Sequence, residues 1–347
     1  GLAGDALTDA DYNVAIGYGA LSSDTQGSNS VAIGRFALVS QNLTSATNSQ
    51  NTAVGYNSGN AVTTGTKNTF VGAEAGDGTD DGASNVAVGY LALSGNCGDD
   101  NVAIGESALE VTTAGGNVAI GVNAGKAVAG GEGNVIIGVN AGDAITSGQD
   151  NVIIGRLAGT YQANLTTANG NVLIGPYNDS TDGTTAYAHG LGYNLDCAPG
   201  YTTFGLGGDD IRAAHGNTSW ATVSDERYKK DIVDSTAGLS FINALKPRTF
   251  KYKNLGELPE TFKAYKANST DVYKNSNTNH GFIAQEVKTA IDADSSIKDG
   301  FKLWDDRPDG SQEVAEAALI PVLTKAVQEL STALDAAVAR IKKLEDG

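Results

Sequence analysis

The chain has no methionine, only two cysteines and only three histidines in 347 residues. Cys97 and Cys197 stand far apart, with no CxxC and no Cys/His spacing. That excludes a disulfide framework and a zinc site, and leaves two free thiols. Basic residues are scarce over most of the length. Residues 1–223 carry 5 Lys+Arg against 20 Asp+Glu, whereas 224–347 carry 18 against 20. So acidic a body repels phosphate and anionic lipid, which makes nucleic acid and anionic lipid poor partners; no nucleic acid and no membrane insertion are expected. No run of 18 apolar residues exists, and residues 1–20 lack a basic stretch followed by an apolar one. Neither membrane insertion nor a signal peptide is expected. Beginning at Gly1 without a methionine, the sequence is expected to continue a longer chain. The acidic pairs Asp80-Asp81, Asp99-Asp100 and Asp209-Asp210 lack the flanking Gly and Glu of a calcium loop. They are expected to be solvated turn residues, with no metal and no cofactor.

Glycine, in contrast, is abundant: 45 residues without a three-residue period, which points to turn-dense β structure. The phrase Asn-Val-Ala-Ile-Gly or a close variant recurs, ending at Gly17, Gly34, Gly55, Gly72, Gly89, Gly105, Gly121, Gly138, Gly155 and Gly175. Most steps are 16 or 17 residues, with one of 21 and one of 20. In an extended strand the first and third apolar residues share one side, and the middle one, usually Ala, faces the other. The closing Gly permits a positive φ, and the leading Asn can ladder onto its counterpart. A second short apolar stretch, as in Gly19-Ala20-Leu21 or Asn123-Ala124-Gly125, predicts two short strands per repeat. One repeat is then one coil of a parallel β-solenoid. Asn29-Ser30-Val31-Ala32-Ile33-Gly34 matches the head repeat of trimeric autotransporter adhesins, which the region 10–178 resembles. That resemblance implies a left-handed parallel β-roll in three copies. The membrane-anchoring barrel of those adhesins has no counterpart here. Residues 179–223 lack the repeat and are expected to form a β-rich neck with strands near Tyr201–Phe204 and Ser219–Thr222.

From Ser224 the sequence changes character. Ala237–Leu245 reads as a short amphipathic helix stopped by Pro247, Thr249–Lys253 as a strand, and His280–Val287 as a strand entering a helix. Ile320, Leu323, Val327, Leu330, Leu334, Ala337, Ile341 and Leu344 follow heptad a/d spacing, which predicts a self-associating coiled coil over 320–347. One long helix packed on its own domain is the other reading.

Ser224-Asp225-Glu226-Arg227-Tyr228-Lys229, then Asp231-Ile232, Leu245-Lys246-Pro247, Phe250-Lys251-Tyr252 and Gly281-Phe282-Ile283-Ala284-Gln285-Glu286-Val287, resemble the endosialidase-type intramolecular chaperone. That domain ends bacteriophage tailspikes and tail fibres. The resemblance covers roughly 224–347 and implies a small α/β domain that trimerises, templates folding of the β region before it, and is released by autoproteolysis. Carried over by position, the Ser-Lys dyad is Ser224 and Lys229. Tyr228 stands where the family usually has an aliphatic residue, which bears on packing and not on the chemistry.

Serine needs a base to take its proton, and lysine becomes one only when desolvation lowers its pKa. Burial between subunits supplies that, so cleavage of Val223–Ser224 is expected only after assembly. Asp225 and Arg227 are expected to hold the loop and interface. His189 and His215 read as structural histidines, and His280 as a candidate for a supporting role near the cut.

The expected protein has a 1–178 β-roll, a 179–223 connector and a 224–347 chaperone. As a homotrimeric phage tail fibre of the virion, assembled in the host cytoplasm, it would join other tail proteins. It would also meet a host receptor, a glycan or an outer-surface protein. Tyr18, Tyr56 and Tyr90 suit stacking on a glycan. Its one reaction is a single-turnover cut of its own chain, with no external substrate. A bacterial trimeric surface adhesin and the distal part of a polysaccharide-depolymerising tailspike are the alternatives.

Overall fold

The computed structural model describes residues 2–184, 186–295, 297 and 301–346. It divides into two compact units, Gly1–Asp225 and Glu226–Gly347. Gly1 and Gly347, the outer limits read for the repeat and for the terminal helix, lie outside the described residues.

The first unit is a parallel β-solenoid of about eleven turns. Each copy of the repeat phrase supplies a three-residue strand, from Val14–Ile16 to Val172–Ile174. Every strand pairs in parallel with the same positions of the next copy, as Val14 with Val31 and Val135 with Val152. The two long steps keep the frame, because Val31 still faces Thr52 and Val152 still faces Val172. A buried carboxylate braces each insertion. Asp24 accepts from the N–H groups of Gly27 and Leu43, and Asp179 from those of Gln162 (2.7 Å) and Ala163 (2.9 Å).

The middle residue of every repeat strand after the first points inward and is fully buried, as at Ala32, Phe70, Ala103, Ile136 and Ile153, while Ala15 of the first is partly buried. Bulk is shared within a coil. Ala32 and Ala103 sit in coils whose other inward position is Leu38 or Leu109, while the coils of Phe70 and Ile153 carry Gly76 and Gly159 there. A Cβ on Gly76 would lie 2.6 Å from the Phe70 ring. Close packing of this kind leaves no room for two large residues in one coil.

The second strand expected in each repeat does not form. That stretch is a chain of turns, with residues such as Leu91 (φ 55°), Leu93 (φ 56°), Ser107 (φ 54°) and Leu109 (φ 50°) in the left-handed region. A residue there cannot lie in an extended strand. Hydrogen bonds between coils are kept regardless, as from Leu93 N–H to the Ala108 carbonyl at 2.9 Å. The closing Gly121 has φ 133°, and a Cβ there would stand 2.7 Å from the Gly138 carbonyl oxygen of the next coil. Only glycine fits that approach.

The leading asparagines form a buried ladder. The N–H of Asn134 donates to Oδ1 of Asn117 at 3.0 Å, and the Nδ2 of Asn134 donates to the Gly148 carbonyl at 2.9 Å. The Oδ1 of Asn134 in turn accepts from the N–H of Asn151 at 3.1 Å. The same bonding links Asn51, Asn68, Asn85, Asn101, Asn117, Asn151 and Asn171.

Parallel pairing outlasts the repeat signature. His189–Tyr193 and Tyr201–Leu206 add further rungs before Asp209–Ala214 and Ala221–Thr222 close the sheet antiparallel. The segment read as a connector from 179 therefore begins as solenoid.

The second unit opens with the turn Glu226–Tyr228 and an irregular stretch that leads into α1 (Leu239–Ala244). Leu245 and Lys246 leave the helix ahead of Pro247, whose ring disfavours helical geometry in the preceding residue. Strand Arg248–Phe250 pairs antiparallel with Asn279–Gly281, which runs into α2 (Ala284–Ala293). A hairpin of Trp304–Asp306 and Gln312–Val314 precedes α3 (Leu319–Glu345). Phe241, Leu245, Val287, Ile291, Leu303, Leu319 and Val322 are buried together.

Helix α3 has two apolar stripes. Leu319, Val322 and Ala326 face inward, and Glu329 accepts the N–H of Leu239 at 2.8 Å, capping α1. Gly238 makes that contact possible, since a Cβ there would lie 2.6 Å from the carboxylate. The heptad stripe from Ile320 to Leu344 is exposed.

Candidate functional site

Ser224 and Asp225 end the first unit, and Arg227 and Lys229 open the second. Ser224 is exposed, outside regular secondary structure, after the strand Ala221–Thr222. Glu226–Tyr228 make a single 3-10 turn, closed by a bond from Lys229 N–H to the Glu226 carbonyl at 2.9 Å. Arg227 and Lys229 are exposed and Asp225 is half-buried. His280 is exposed on the strand Asn279–Gly281 opposite Thr249, beside an open cleft lined by Pro247, Arg248 and Gly281.

An ion pair that sequence reasoning missed ties the motifs of this unit together. Arg248 grips Glu286 with two bonds, Nε to Oε2 at 2.9 Å and Nη2 to Oε1 at 2.6 Å. It joins the residue after Lys246-Pro247 to the Glu of the Gly281–Val287 motif. The bonds from Arg248 hold the Glu286 carboxyl below the usual carboxylate range. The signal was present in Glu286 itself, a charged residue inside an apolar motif. Its partner lay 38 positions away.

In the first unit the exposed features are apolar and aromatic. The first and third strand residues turn outward, leaving Val14, Ile16, Val71, Val88, Ile104, Ile120 and Leu191 exposed along one face of the sheet. The asparagine ladder is buried inside the coil. His189 and His215, which share no sequence spacing, meet with ring centroids 4.6 Å apart and planes tilted by 40°. Burial, and then the neighbouring His215, push the His189 pKa down. Both cysteines are free and buried, and burial raises the Cys197 thiol to about 12. Asp77 is half-buried, with one oxygen out of reach of solvent. Its Oδ1 has no hydrogen-bond partner among the described residues, and burial followed by the charge of Glu74 raises its carboxyl to about 6. Among the described residues no three His, Cys, Asp or Glu are grouped to hold a metal ion. No described helix is long and apolar enough to cross a membrane.

Residues 224–294 match the peptidase S74 family, described as the chaperone of endosialidase. The match begins at Ser224 and ends just past α2. No curated protein and no solved structure matches the chain.

Proposed function

We propose that this chain is part of a homotrimeric bacteriophage tail fibre, in which the solenoid is the receptor-facing body and the C-terminal unit assembles three copies. The observation that carries this reading is the match to a chaperone family starting at Ser224, directly behind a solenoid. Two apolar faces without a partner in the single chain support it. One is the outward Val/Ile face of the sheet, the other the heptad stripe of α3. The second half of α3 has no buried residue, and a helix so isolated is marginal in water. Three copies packed on that seam would cover it.

In this reading Lys229 takes the hydroxyl proton of Ser224, and Oγ attacks the carbonyl carbon of Val223. The Val223–Ser224 C–N bond breaks as the ester forms, and the Ser224 nitrogen takes up the proton. Water then hydrolyses the ester, freeing a Val223 carboxylate and a Ser224 amine. Both dyad residues are exposed in the single chain. The desolvation that turns lysine into a base is therefore left to neighbouring copies, which ties cutting to assembly.

Intact-mass measurement of the wild-type chain beside Ser224→Ala tests this. The expected result is a wild-type fragment ending at Val223 that the variant lacks. An uncut wild-type trimer would overturn the cleavage and leave assembly standing.

A further inference from the structure

The solenoid unit carries three arginines, Arg35, Arg156 and Arg212, and each lies over an aromatic ring. Among the described residues none of them has an ion-pair partner. In a body this acidic, an arginine without a carboxylate is an isolated positive spot.

The best formed of the three sites surrounds Arg156. Its Cζ stands 4.5 Å from the centroid of the Tyr177 ring, and its Nη2 donates to the Tyr177 hydroxyl. Tyr161, Tyr177 and Tyr193 meet edge to face in a row, with centroids 4.7 and 5.5 Å apart. Tyr161 and Tyr193 are about half exposed, at 51% and 48%. Tyr161 belongs to the 20-residue step, in the extra loop that the coil does not need for its register. Buried Asp179 holds that loop through the N–H groups of Gln162 and Ala163. An insertion braced from beneath thus brings a third tyrosine up to a pair.

Such a row offers ring faces and ring edges in alternation, at roughly the spacing of neighbouring coils, about 4.8 Å. The C–H face of a pyranose ring packs on a tyrosine face, and the tyrosine hydroxyl can bond the sugar. The arginine beside it is held in place by stacking and keeps N–H groups for a second acceptor. Its planar fork matches a carboxylate. Tyrosines alone fit any sugar, and an unpaired arginine selects an acidic one.

We propose that Arg156, Tyr161, Tyr177 and Tyr193 form a binding site for a glycan bearing uronic acid residues. The tyrosines hold the sugar rings, and Arg156 takes a carboxylate. The proposal rests on the receptor-facing role given to the solenoid and names the ligand class that this surface takes.

The test is titration calorimetry on the full chain with tri-galacturonate, a mannuronate trimer and a hyaluronan tetrasaccharide, and with maltotriose as the neutral control. At least one uronate is expected to bind better than maltotriose. Tyr161→Ala should weaken that binding by about tenfold or more. Arg156→Gln should remove the preference for the acidic sugar. Both side chains are exposed or at the surface, and a thermal melt of each variant confirms that it is folded. Failure of all three uronates, or wild-type binding by both variants, overturns the site. Sedimentation of the same samples separates the two readings. A trimer that binds no uronate removes this site and leaves the fibre. A monomer that binds uronate supports the site and removes the trimer.

Discussion

At Asp77 the fold holds a carboxyl where its charged form is disfavoured. The folded group has a pKa of about 6, above the ordinary value of 3.8, because of burial and then Glu74. The folded chain therefore binds more protons than the unfolded one between those values, and stability falls as pH rises from about 4 to 6. Above pH 6 the full penalty is present. Asp77→Asn removes it, and after discounting for partial exposure the gain should be about 1–2 kcal/mol at pH 7.5. Urea unfolding at pH 7.5 and pH 4 checks this, with the gain shrinking at the lower pH. Asn134 is the opposite case, since each of its polar atoms is satisfied. Asn134→Ala strands the N–H of Asn151 and the carbonyl of Gly148 in the core. A loss of about 2–5 kcal/mol is expected, read as a lower urea midpoint.

At the scale of elements, the three-residue strands were legible in full, because Val-Ala-Ile alternates and its period repeats. The turns between them were not. Leu109 looks like a strand residue, and its left-handed φ is imposed by the coils stacked above and below it. Local propensity does not carry that information. The exposed heptad stripe of α3 was legible, while its inward stripe at Leu319, Val322 and Ala326 was hidden beneath the stronger pattern. The Arg248–Glu286 pair joins a strand to α2, and its two bonds make it directional. Reversing either charge alone should lower the melting temperature of the C-terminal unit, and Arg248→Glu with Glu286→Arg together should restore part of it. Full additivity in that double-mutant cycle would mean that the two residues are not coupled.

For the whole molecule, the Ser224–Lys229 motif could be read from sequence because position and neighbouring motifs single it out. The burial between subunits that the dyad chemistry requires is not present in one chain, where both side chains are exposed. The heptad seam gives the corresponding test of assembly. Leu334→Asp with Ile341→Asp places charge at two positions that are exposed in the single chain. Sedimentation should shift from trimer to monomer while the helical signal of the first turns of α3 persists. Loss of the Val223 fragment in the same variant would link cutting to association. Continued cutting by the monomer would separate them.

Equal register from coil to coil makes length a counted quantity. From Asn51 onward each period meets the next through the same Asn bond, and throughout by the same glycine approach and strand positions, so a coil with matched inward residues can stand in for another. Gain or loss of a complete period changes reach by about 4.8 Å and leaves both ends as they were. An insertion of three or four residues is instead taken up in a loop and leaves the frame intact, as the two long steps show. The stack is in effect a ruler graduated in coils, whose reach can be lengthened or shortened by recombination between near-identical segments while both ends keep their own structure.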